Sequence, residues 1–262
     1  MNNIRWVLGI EYDGSNYAGW QVQPQVISIQ EKVEYAISQV ADHPIKTVCA
    51  GRTDKGVHAY EQVLHFDSDA CRSSFQWRAG INSYLPSDVV VKWVKKAPEN
   101  FHARFSASAR TYHYYIYQHP VPSALRASHI LWEPRQLSVS SMHQAAQMLL
   151  GEHDFSAFRS QKCQAHSPVK TVYCCEVKQL SDGVIVMTIT ANSFLYNMVR
   201  NIMGVLLSIG RGQQAPETMR SILASKSRQS AGVKVPAHGL YFMHVAYPAW
   251  LEADQYIEKY LF

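Results

Sequence analysis

The alternation of apolar and polar positions predicts that the first part of the chain is one α+β unit. A strand at Arg5–Tyr12 leads to a helix that begins at Ser28, where Ser28 and Glu31 form a capping box. The elements that follow are strand, strand, helix and strand, at about 46–51, 59–67, 74–84 and 89–95. The resulting order β-α-β-β-α-β is that of the split βαβ unit.

The rest of the chain shows a similar order of elements. A long strand at about 105–117 comes first, and a helix near 139–150 follows it. Two strands, at about 169–179 and 184–192, flank the turn Ser181-Asp182-Gly183. A helix at about 195–209 stops at Gly210, a short helix opens at Pro216-Glu217, and a final strand covers about 240–246. The pattern therefore predicts two α+β halves that meet near residues 100–105, each a sheet with helices on one face.

Composition narrows the class of protein. Of the 262 residues, 47% are hydrophobic and 17% are charged, which is typical of a folded protein with a real core. No apolar run is long enough to cross a bilayer, and the first residues lack the layout of a signal peptide, so a cytoplasmic protein is expected. The net charge of +5 leans towards a polyanionic partner without establishing one.

Metal and nucleotide motifs are absent from the sequence. The five cysteines form no C-x-x-C pair, and neither H-E-x-x-H nor a P-loop occurs. No metal site and no cofactor are therefore expected. His153-Asp154 has the look of a catalytic dyad, but no serine or cysteine in an elbow motif accompanies it, and we expect this pair to cap a turn.

The word AGRTDKGVHA at residues 50–59 is the strongest chemical signal. Apolar residues run into it and an alternating run leaves it, which predicts a strand, a tight connection and a second strand, with Asp54 at the tip. Arg52 lies two residues away, so in extended chain both side chains face one side. A guanidinium there would hold the carboxylate ionised, as a nucleophile requires. A plain hairpin turn with a structural ion pair explains the same residues.

Two further segments combine structural and chemical signals. Arg110–Tyr117 is rich in aromatic residues, which fits either a packed central strand or a platform on which bases stack. On the helix at 195–209, Arg200 lies on the polar face beside Asn197 and Gly204. A glycine inside a helix costs about 1 kcal/mol relative to alanine, so it often marks the close approach of another group.

Four segments show weak order signals, at 14–27, 119–130, 160–168 and 225–237. The last contains Lys226, Arg228 and Lys234. In isolation it is best interpreted as a solvated loop; in an RNA enzyme it would be a candidate flexible arm, and the same holds for Gln161–Lys170.

A family resemblance adds to these observations. The word AGRTDKGVHA resembles the active-site motif of the tRNA pseudouridine synthase A (TruA) family. Further matches to that family follow in its order and spacing, at Tyr12-Asp13-Gly14, Gly19-Trp20-Gln21, Asn82-Ser83, Leu85-Pro86, 101–115, 151–158, 194–204 and 238–242. They span nearly the whole chain. The sequence departs from some members at Tyr196-Asn197, where those members have two histidines.

The resemblance implies a fold and an activity. The fold would be the pseudouridine synthase fold: two split-βαβ (ferredoxin/RRM-like) subdomains, at 1–103 and 104–262, with sheets joined side by side and an active-site cleft between them. The activity would be isomerisation of uridine to pseudouridine at positions 38–40 of the tRNA anticodon arm. The enzyme would be a homodimer whose tRNA contacts both subunits, and it would require no cofactor.

The resemblance also implies roles for individual residues. Asp54 would be the nucleophile, attacking either C6 of the base or C1′ of the ribose, and Arg200 would pair with it. Tyr112 would stack on the uracil and abstract its C5 proton, while Leu240 would line the uracil pocket. The residues assigned to substrate binding are Arg52, Lys55, His58, Tyr112 and Leu240.

Other interpretations of the residues remain open. His58 and His65 also fit packed or surface histidines better than metal ligands. Two other functions are compatible with an exposed Asp54: a hydrolase that uses it as nucleophile or base, and a non-catalytic RNA-binding protein of two split-βαβ halves.

Overall fold

The computed structural model describes residues 3–161, 163–180, 182–248 and 260–262. Its internal contacts divide the chain into two units. The first unit comprises the described residues up to Ser108 together with Tyr241–Pro248; the second comprises Ala109–Leu240 and residues 260–262. Each unit contains a β-sheet and α-helices, which confirms the α+β class.

The first unit follows the predicted order of elements. Its helices and strands are β1 (Ile4–Tyr12), α1 (Ile29–Ala41), β2 (Val48–Cys49), β3 (His58–Ser68), α2 (Ser74–Tyr84), β4 (Val89–Ala97) and β10 (Leu240–Ala246). Strands β4, β1, β3 and β2 are neighbours in that order and pair antiparallel, as a split βαβ unit requires. Strand β10 pairs in parallel with the start of β3.

The core of this unit lies between the sheet and its helices. Trp6 on β1 is opposite Phe66 on β3, and both rings contact Trp77 on α2, at centroid distances of 6.0 and 5.1 Å. All three side chains are buried, and burying one such side chain stabilises the fold by about 1.5–3 kcal/mol. Helix α2 begins in a full capping box, because Ser73 and Gln76 each accept the backbone N–H of the other.

Helix α1 fixes the chain that leads into β2. The Ser28 hydroxyl accepts the N–H of Glu31, so the predicted start of the helix is confirmed. Further along, the buried carboxylate of Glu34 accepts both the N–H and the hydroxyl of Thr47, at 2.9 and 3.1 Å. Because Thr47 directly precedes β2, this pair sets the position from which β2 runs towards Asp54.

The segment before β5 is a turn and not the predicted start of a strand. Strand β5 begins at Ala109, whereas the sequence pattern placed its start near 105. The N–H of Ser106 donates to the carbonyl of His102, and the ring nitrogen Nδ1 of His102 accepts the N–H groups of Arg104 and Phe105. Backbone donors that are used in this way do not contribute to a sheet ladder, which is why the strand prediction was wrong here.

The second unit is built on an antiparallel sheet. Its helices and strands are β5 (Ala109–Gln118), β6 (Leu131–Glu133), α3 (Val139–Gln147), β7 (Gly151–Asp154), β8 (Val169–Gln179), β9 (Val184–Ala191), α4 (Met198–Gly210) and α5 (Thr218–Ser225). The strand order is β5-β9-β8-β7, and β6 pairs in parallel with β5. Single-turn 3₁₀ helices lie at Ser156–Phe158 and Arg228–Ala231.

The boundaries of α4 show what the apolar pattern missed. The helix begins at Met198, three residues later than predicted, because Asn197 has a left-handed backbone (φ 61°) that does not continue a helix. The predicted inward positions are buried nevertheless, namely Leu195, Val199, Ile202, Met203 and Leu206.

Three other differences concern strands. The short strands β6 and β7 were not predicted, although Asp154 does cap a turn as expected, by accepting the N–H of Ser156 at 2.9 Å. The sequence placed the last strand, β10, in the second half, whereas its residues from Tyr241 onward belong to the first unit. In the predicted turn at 181–183, Ser181 lies outside the described residues.

No helix in the described part of the chain combines the length and the apolar character that crossing a membrane requires.

One buried histidine ties the turn before β5 to the sheet. The Nδ1 atom of His65 on β3 accepts the N–H of Ala103 at 3.1 Å. Burial, followed by the positive charge of Arg5 and by the electrostatic interaction with His102, lowers the pKa of His65 to about 4, against the opposing charge of Asp67. The neutral ring that results is the form able to accept this hydrogen bond.

We expect His65 to make the protein less stable in acid. An unfolded histidine has a pKa near 6.5, so between about pH 6.5 and pH 4 only the unfolded chain binds this proton. The free energy of unfolding should therefore fall as the pH drops through that window, by about 2 kcal/mol at pH 5, with no contribution above pH 6.5. Urea unfolding of His65→Gln at pH 7.5 and pH 5 should show a smaller loss than wild type.

The matched control is His166→Gln, which changes an exposed histidine and should leave the wild-type pH dependence intact. Equal losses of stability in wild type and His65→Gln would contradict the prediction.

Candidate functional site

The turn that carries Asp54 connects β2 to β3. The N–H of Val57 donates to the carbonyl of Asp54 at 3.1 Å, and Gly56 has the positive φ of 75° that closes the turn. The interpretation of this word as a tight connection between two strands is therefore confirmed. The Asp54 side chain is half-buried, while Arg52 and Lys55 on either side of it are exposed.

Two buried polar side chains, on β1 and β3, form hydrogen bonds to the start of this turn. The hydroxyl of Tyr12 on β1 lies 2.7 Å from the hydroxyl of Thr53, and burial raises the pKa of Tyr12, so the phenol remains protonated. The amide of Gln62 on β3 accepts the N–H of Gly51 and donates to its carbonyl. The residues on both sides of Arg52 are thereby bonded to two strands, Gly51 through its backbone and Thr53 through its side chain.

The chain around Gly19 holds the turn from another side. Gly19 forms an isolated β-bridge with Asp54, and the N–H of Trp20 donates to the carbonyl of Thr53 at 3.0 Å. A Cβ atom on Gly19 would lie 2.7 Å from that carbonyl oxygen, and its φ of 105° is one that L side chains rarely adopt. The segment 14–27 showed only weak order signals in the sequence, but its residues Gly19 and Trp20 contact the Asp54 turn directly.

His58 is a packed side chain at the start of β3. Its ring is buried, stacks on Tyr241 at 4.6 Å, and accepts the N–H of Gly14 at Nδ1. The same nitrogen lies 3.0 Å from a carboxylate oxygen of Asp13. This arrangement agrees with the packed interpretation of His58, and its role in substrate binding stays a prediction.

In the second unit, Tyr112 lies on β5 opposite Ile189 of β9. Its ring meets that of Phe194 edge to face, with centroids 5.0 Å apart, and the side chain is 9% exposed. Tyr114 is on the same face of the strand two residues later, and its hydroxyl donates to the carbonyl of Pro236 at 2.9 Å. Burial raises the pKa of Tyr114, against the charge of Arg200, so this donor keeps its proton.

Arg200 on α4 is held by its own helix and by a neighbouring segment. Its Nε donates to the carbonyl of Val235 at 2.9 Å, and its Nη1 donates to the side-chain oxygen of Asn197 at 3.1 Å. One turn along the helix, a Cβ on Gly204 would lie 2.1 Å from the carbonyl oxygen of Val233. The prediction that Gly204 marks a close approach is confirmed.

The segment 233–240 contacts Arg200 and strand β5, and it contains Leu240. It meets Arg200 at Val235 and Tyr114 at Pro236, and it continues through Gly239, whose carbonyl accepts the N–H of Tyr115 at 2.8 Å. It then reaches Leu240, which is buried and whose N–H donates to Ala237 at 2.8 Å.

The two basic loops are anchored and not free arms. In the segment 225–237, the Arg228 guanidinium donates to the side-chain oxygen of Asn201 at 3.0 Å, and Lys226 lies 3.4 Å from the carboxylate of Asp154. Most residues of this segment are exposed, as the interpretation as a solvated loop predicts, but these two contacts anchor it to distant parts of the sequence. In the segment 160–168, Arg159 donates to the carbonyls of Cys163 and Ala165; Lys162 lies outside the described residues.

The structure groups the predicted site residues by unit. In the first unit, a single turn and the strand after it present Arg52, Asp54, Lys55 and His58. In the second unit, segment 233–240 binds Arg200 and contains Leu240. Sequence reasoning missed Gln62, Thr53 and the chain from Val233 to Pro236, since their contacts depend on long-range packing and leave no periodic signal.

Comparison with known proteins gives consistent results. A family model described as "tRNA pseudouridine synthase" matches residues 9–106 and 145–248. A protein of Colwellia psychrerythraea named "tRNA pseudouridine synthase A" is 50% identical over 245 residues, covering 94% of this chain and 94% of that protein. A protein of the same name from Aeromonas hydrophila is 50% identical over 252 residues, covering 96% of this chain and 93% of that one.

Among solved structures, the chain is similar to one titled "Crystal structure of the archaeal box H/ACA sRNP Nop10-Cbf5 complex". The identity is 11%, the TM-score is 0.35, and the match covers 78% of this chain and 44% of the other. A likeness of this strength carries no argument about function.

We expect Gly19→Ala to destabilise the protein and to displace the Asp54 turn, because the added methyl group would collide with the Thr53 carbonyl at a strained φ. The expected loss in the free energy of unfolding, measured with urea, is at least about 2 kcal/mol. Gly212→Ala is the matched control, since Gly212 also has a positive φ (70°) but no atom lies within 4 Å of its Cβ position. It should cost only the backbone strain, about 1 kcal/mol. Equal losses in both variants would show that the close approach is unimportant.

Proposed function

Because the chain belongs to the tRNA pseudouridine synthase family, we propose that it converts uridine to pseudouridine at positions 38–40 of the tRNA anticodon arm, with Asp54 as the nucleophile. The observation that carries this proposal is the Asp54 turn, which two strands and the chain around Gly19 support while Asp54 stays partly exposed. A reacting group on a rigidly supported loop is preorganised for attack.

The reaction is an isomerisation that conserves every atom of the base. The bond between C1′ of the ribose and N1 of uracil breaks, the base turns, and a bond between C1′ and C5 forms. The proton leaves C5, and N1 gains one from solvent. No electrons are gained or lost, so no redox partner enters the proposed reaction.

Asp54 would open the reaction as a carboxylate that attacks C6 of the base or C1′ of the ribose. Arg200 would pair with Asp54 and keep it ionised. The orientation of Arg200 is set by its bonds to Val235 and Asn197, which leave little freedom for the guanidinium plane. This rigidity supports a positioning role, since a fixed cation orients a carboxylate better than a mobile one.

The remaining candidate residues would hold the uridine and its strand. Tyr112 would stack on the uracil and abstract the C5 proton, and Leu240 would line the base pocket. Arg52, Lys55 and His58 would contact the RNA; the exposure of Arg52 and Lys55 suits contacts with phosphate. The target base must leave its stack before it is reached, at a cost of a few kcal/mol.

The proposal extends to assembly and location. We infer a homodimer in which one tRNA contacts both subunits, acting in the cytoplasm. The subdomain 1–103 would carry the catalytic aspartate, and the subdomain 104–262 would supply Tyr112, Arg200 and Leu240 to the same uridine.

The decisive test of Asp54 uses tRNA with tritium at uridine C5, because loss of that proton accompanies pseudouridine formation. We expect wild type to release tritium, and Asp54→Asn to bind the tRNA with unchanged affinity while releasing none above background. Asp182→Asn, in an exposed turn whose φ of 56° suits asparagine, is the matched control and should release tritium at the wild-type rate.

Each alternative function gives a different result in this assay. A non-catalytic RNA-binding protein would bind tRNA without release by wild type, and a hydrolase would yield free base or cleaved RNA. Undiminished release by Asp54→Asn would remove the aspartate from the mechanism.

A second variant separates the two roles of Tyr112. If its hydroxyl takes part in proton abstraction, Tyr112→Phe should lower kcat for tritium release at least about 100-fold and leave tRNA binding nearly unchanged. If the ring only stacks on uracil, phenylalanine should sustain the full rate. Tyr173→Phe serves as control, because Tyr173 is 56% exposed on β8 and should not affect the rate.

A further inference from the structure

The ring of Phe105 is displayed to solvent on an ordered turn. Its side chain is 75% exposed, and one face stacks on the ring of His102, with centroids 4.4 Å apart and planes 27° apart. The guanidinium carbon of Arg104 lies 5.4 Å from the Phe105 centroid. Arg104 and Ser106, the neighbours of the ring in sequence, are polar.

The turn that presents this ring is fixed by its backbone bonds. Nδ1 of His102 accepts the N–H groups of both Arg104 and Phe105, at 3.2 and 3.1 Å. The hydroxyl of Ser106 accepts the N–H of His102 at 3.0 Å. Burial, followed by the charge of Arg5, lowers the pKa of His102, which keeps its ring in the neutral form that these bonds need. Phe105 is therefore held in place before any partner arrives.

The same turn lies beside the strand that leads to Asp54. Ala103 is bonded to His65, and His65 is opposite Val48 in the pairing of β3 with β2. Burial raises the pKa of the Cys49 thiol to about 12, and the positive charges of Arg52 and Arg104 both oppose this shift. Two cations from distant parts of the sequence thus act on the thiol of Cys49 on β2, five residues before Asp54.

We propose that Phe105, backed by His102 and flanked by Arg104, is a stacking platform for an unpaired base of the tRNA next to the target uridine. This inference rests on the proposed function and adds a substrate-binding element to it. A largely exposed aromatic ring with a guanidinium 5.4 Å from its centroid matches the chemistry of a single-stranded nucleotide, which offers a flat base and a phosphate. A protein partner would call for a broader apolar surface than one ring.

The first experiment measures binding of an unmodified tRNA transcript. Phe105→Ala should weaken binding about tenfold, since stacking of one base is worth about that factor or more. Phe105→Trp should restore binding because it keeps an aromatic face, whereas Phe105→Leu, which keeps apolar volume only, should behave like alanine. Phe75→Ala is the matched control, because Phe75 on α2 is 69% exposed and should not affect binding.

A second experiment detects the stacking itself. With 2-aminopurine placed in turn at each unpaired position beside the target uridine, wild type should quench its fluorescence at one position, and Phe105→Ala should not. The salt dependence of binding then distinguishes the contribution of the Phe105 ring from that of Arg104. Arg104→Gln should lower the slope of log K against log salt by about 1, the value for one phosphate contact, and Phe105→Ala should leave the slope unchanged.

Binding by Phe105→Ala equal to that of Phe75→Ala would overturn the proposal, as would full rescue by leucine. If wild type still releases tritium in that case, the proposed function is retained and only the stacking platform is rejected. If wild type releases no tritium and Phe105→Ala nevertheless binds tRNA more weakly, the platform stands and the proposed function fails.

Discussion

The close approach of the chain at Gly19 to the backbone of the Asp54 turn is the constraint on which the candidate chemistry depends. The bridge between Gly19 and Asp54 leaves no room for a side chain at position 19. Together with the bonds of Tyr12 and Gln62, it holds the half-buried Asp54 on a backbone that is supported from several sides. A nucleophile gains from such support because its orientation is set before the substrate binds.

In the second unit, a glycine on helix α4 allows a similar close approach beside Arg200. Gly204 allows the carbonyl of Val233 to lie against α4, and Val235 then accepts a bond from Arg200. In both units a glycine allows an irregular segment to approach another part of the chain closely, and the residue proposed for chemistry lies at or near that contact. Segments without regular secondary structure thus support the candidate residues, and basic side chains in them, such as Arg228, bind neighbouring elements.

The sequence predicted what short-range patterns encode. The order β-α-β-β-α-β of the first unit, the start of α1 at Ser28 and the buried face of α4 all follow from local periodicity and capping. The turn at 102–106 was missed because its donors bind the His102 ring, and the pairing of β10 with β3 was missed because it depends on residues far apart in sequence. The roles of Asp54, Tyr112 and Arg200 came from the resemblance and not from the pattern, since a hairpin turn explains Asp54 equally well on local grounds.

The way in which the Asp54 turn is supported has an evolutionary consequence. Its supports are backbone contacts and buried hydrogen bonds, whereas Arg52 and Lys55 extend into solvent and make none of them. Under the proposed roles, mutation at these two surface positions would alter RNA contacts without moving the carboxylate. Substrate range and reactivity would then be inherited on separate residues, so that one could drift in a lineage while the other is retained.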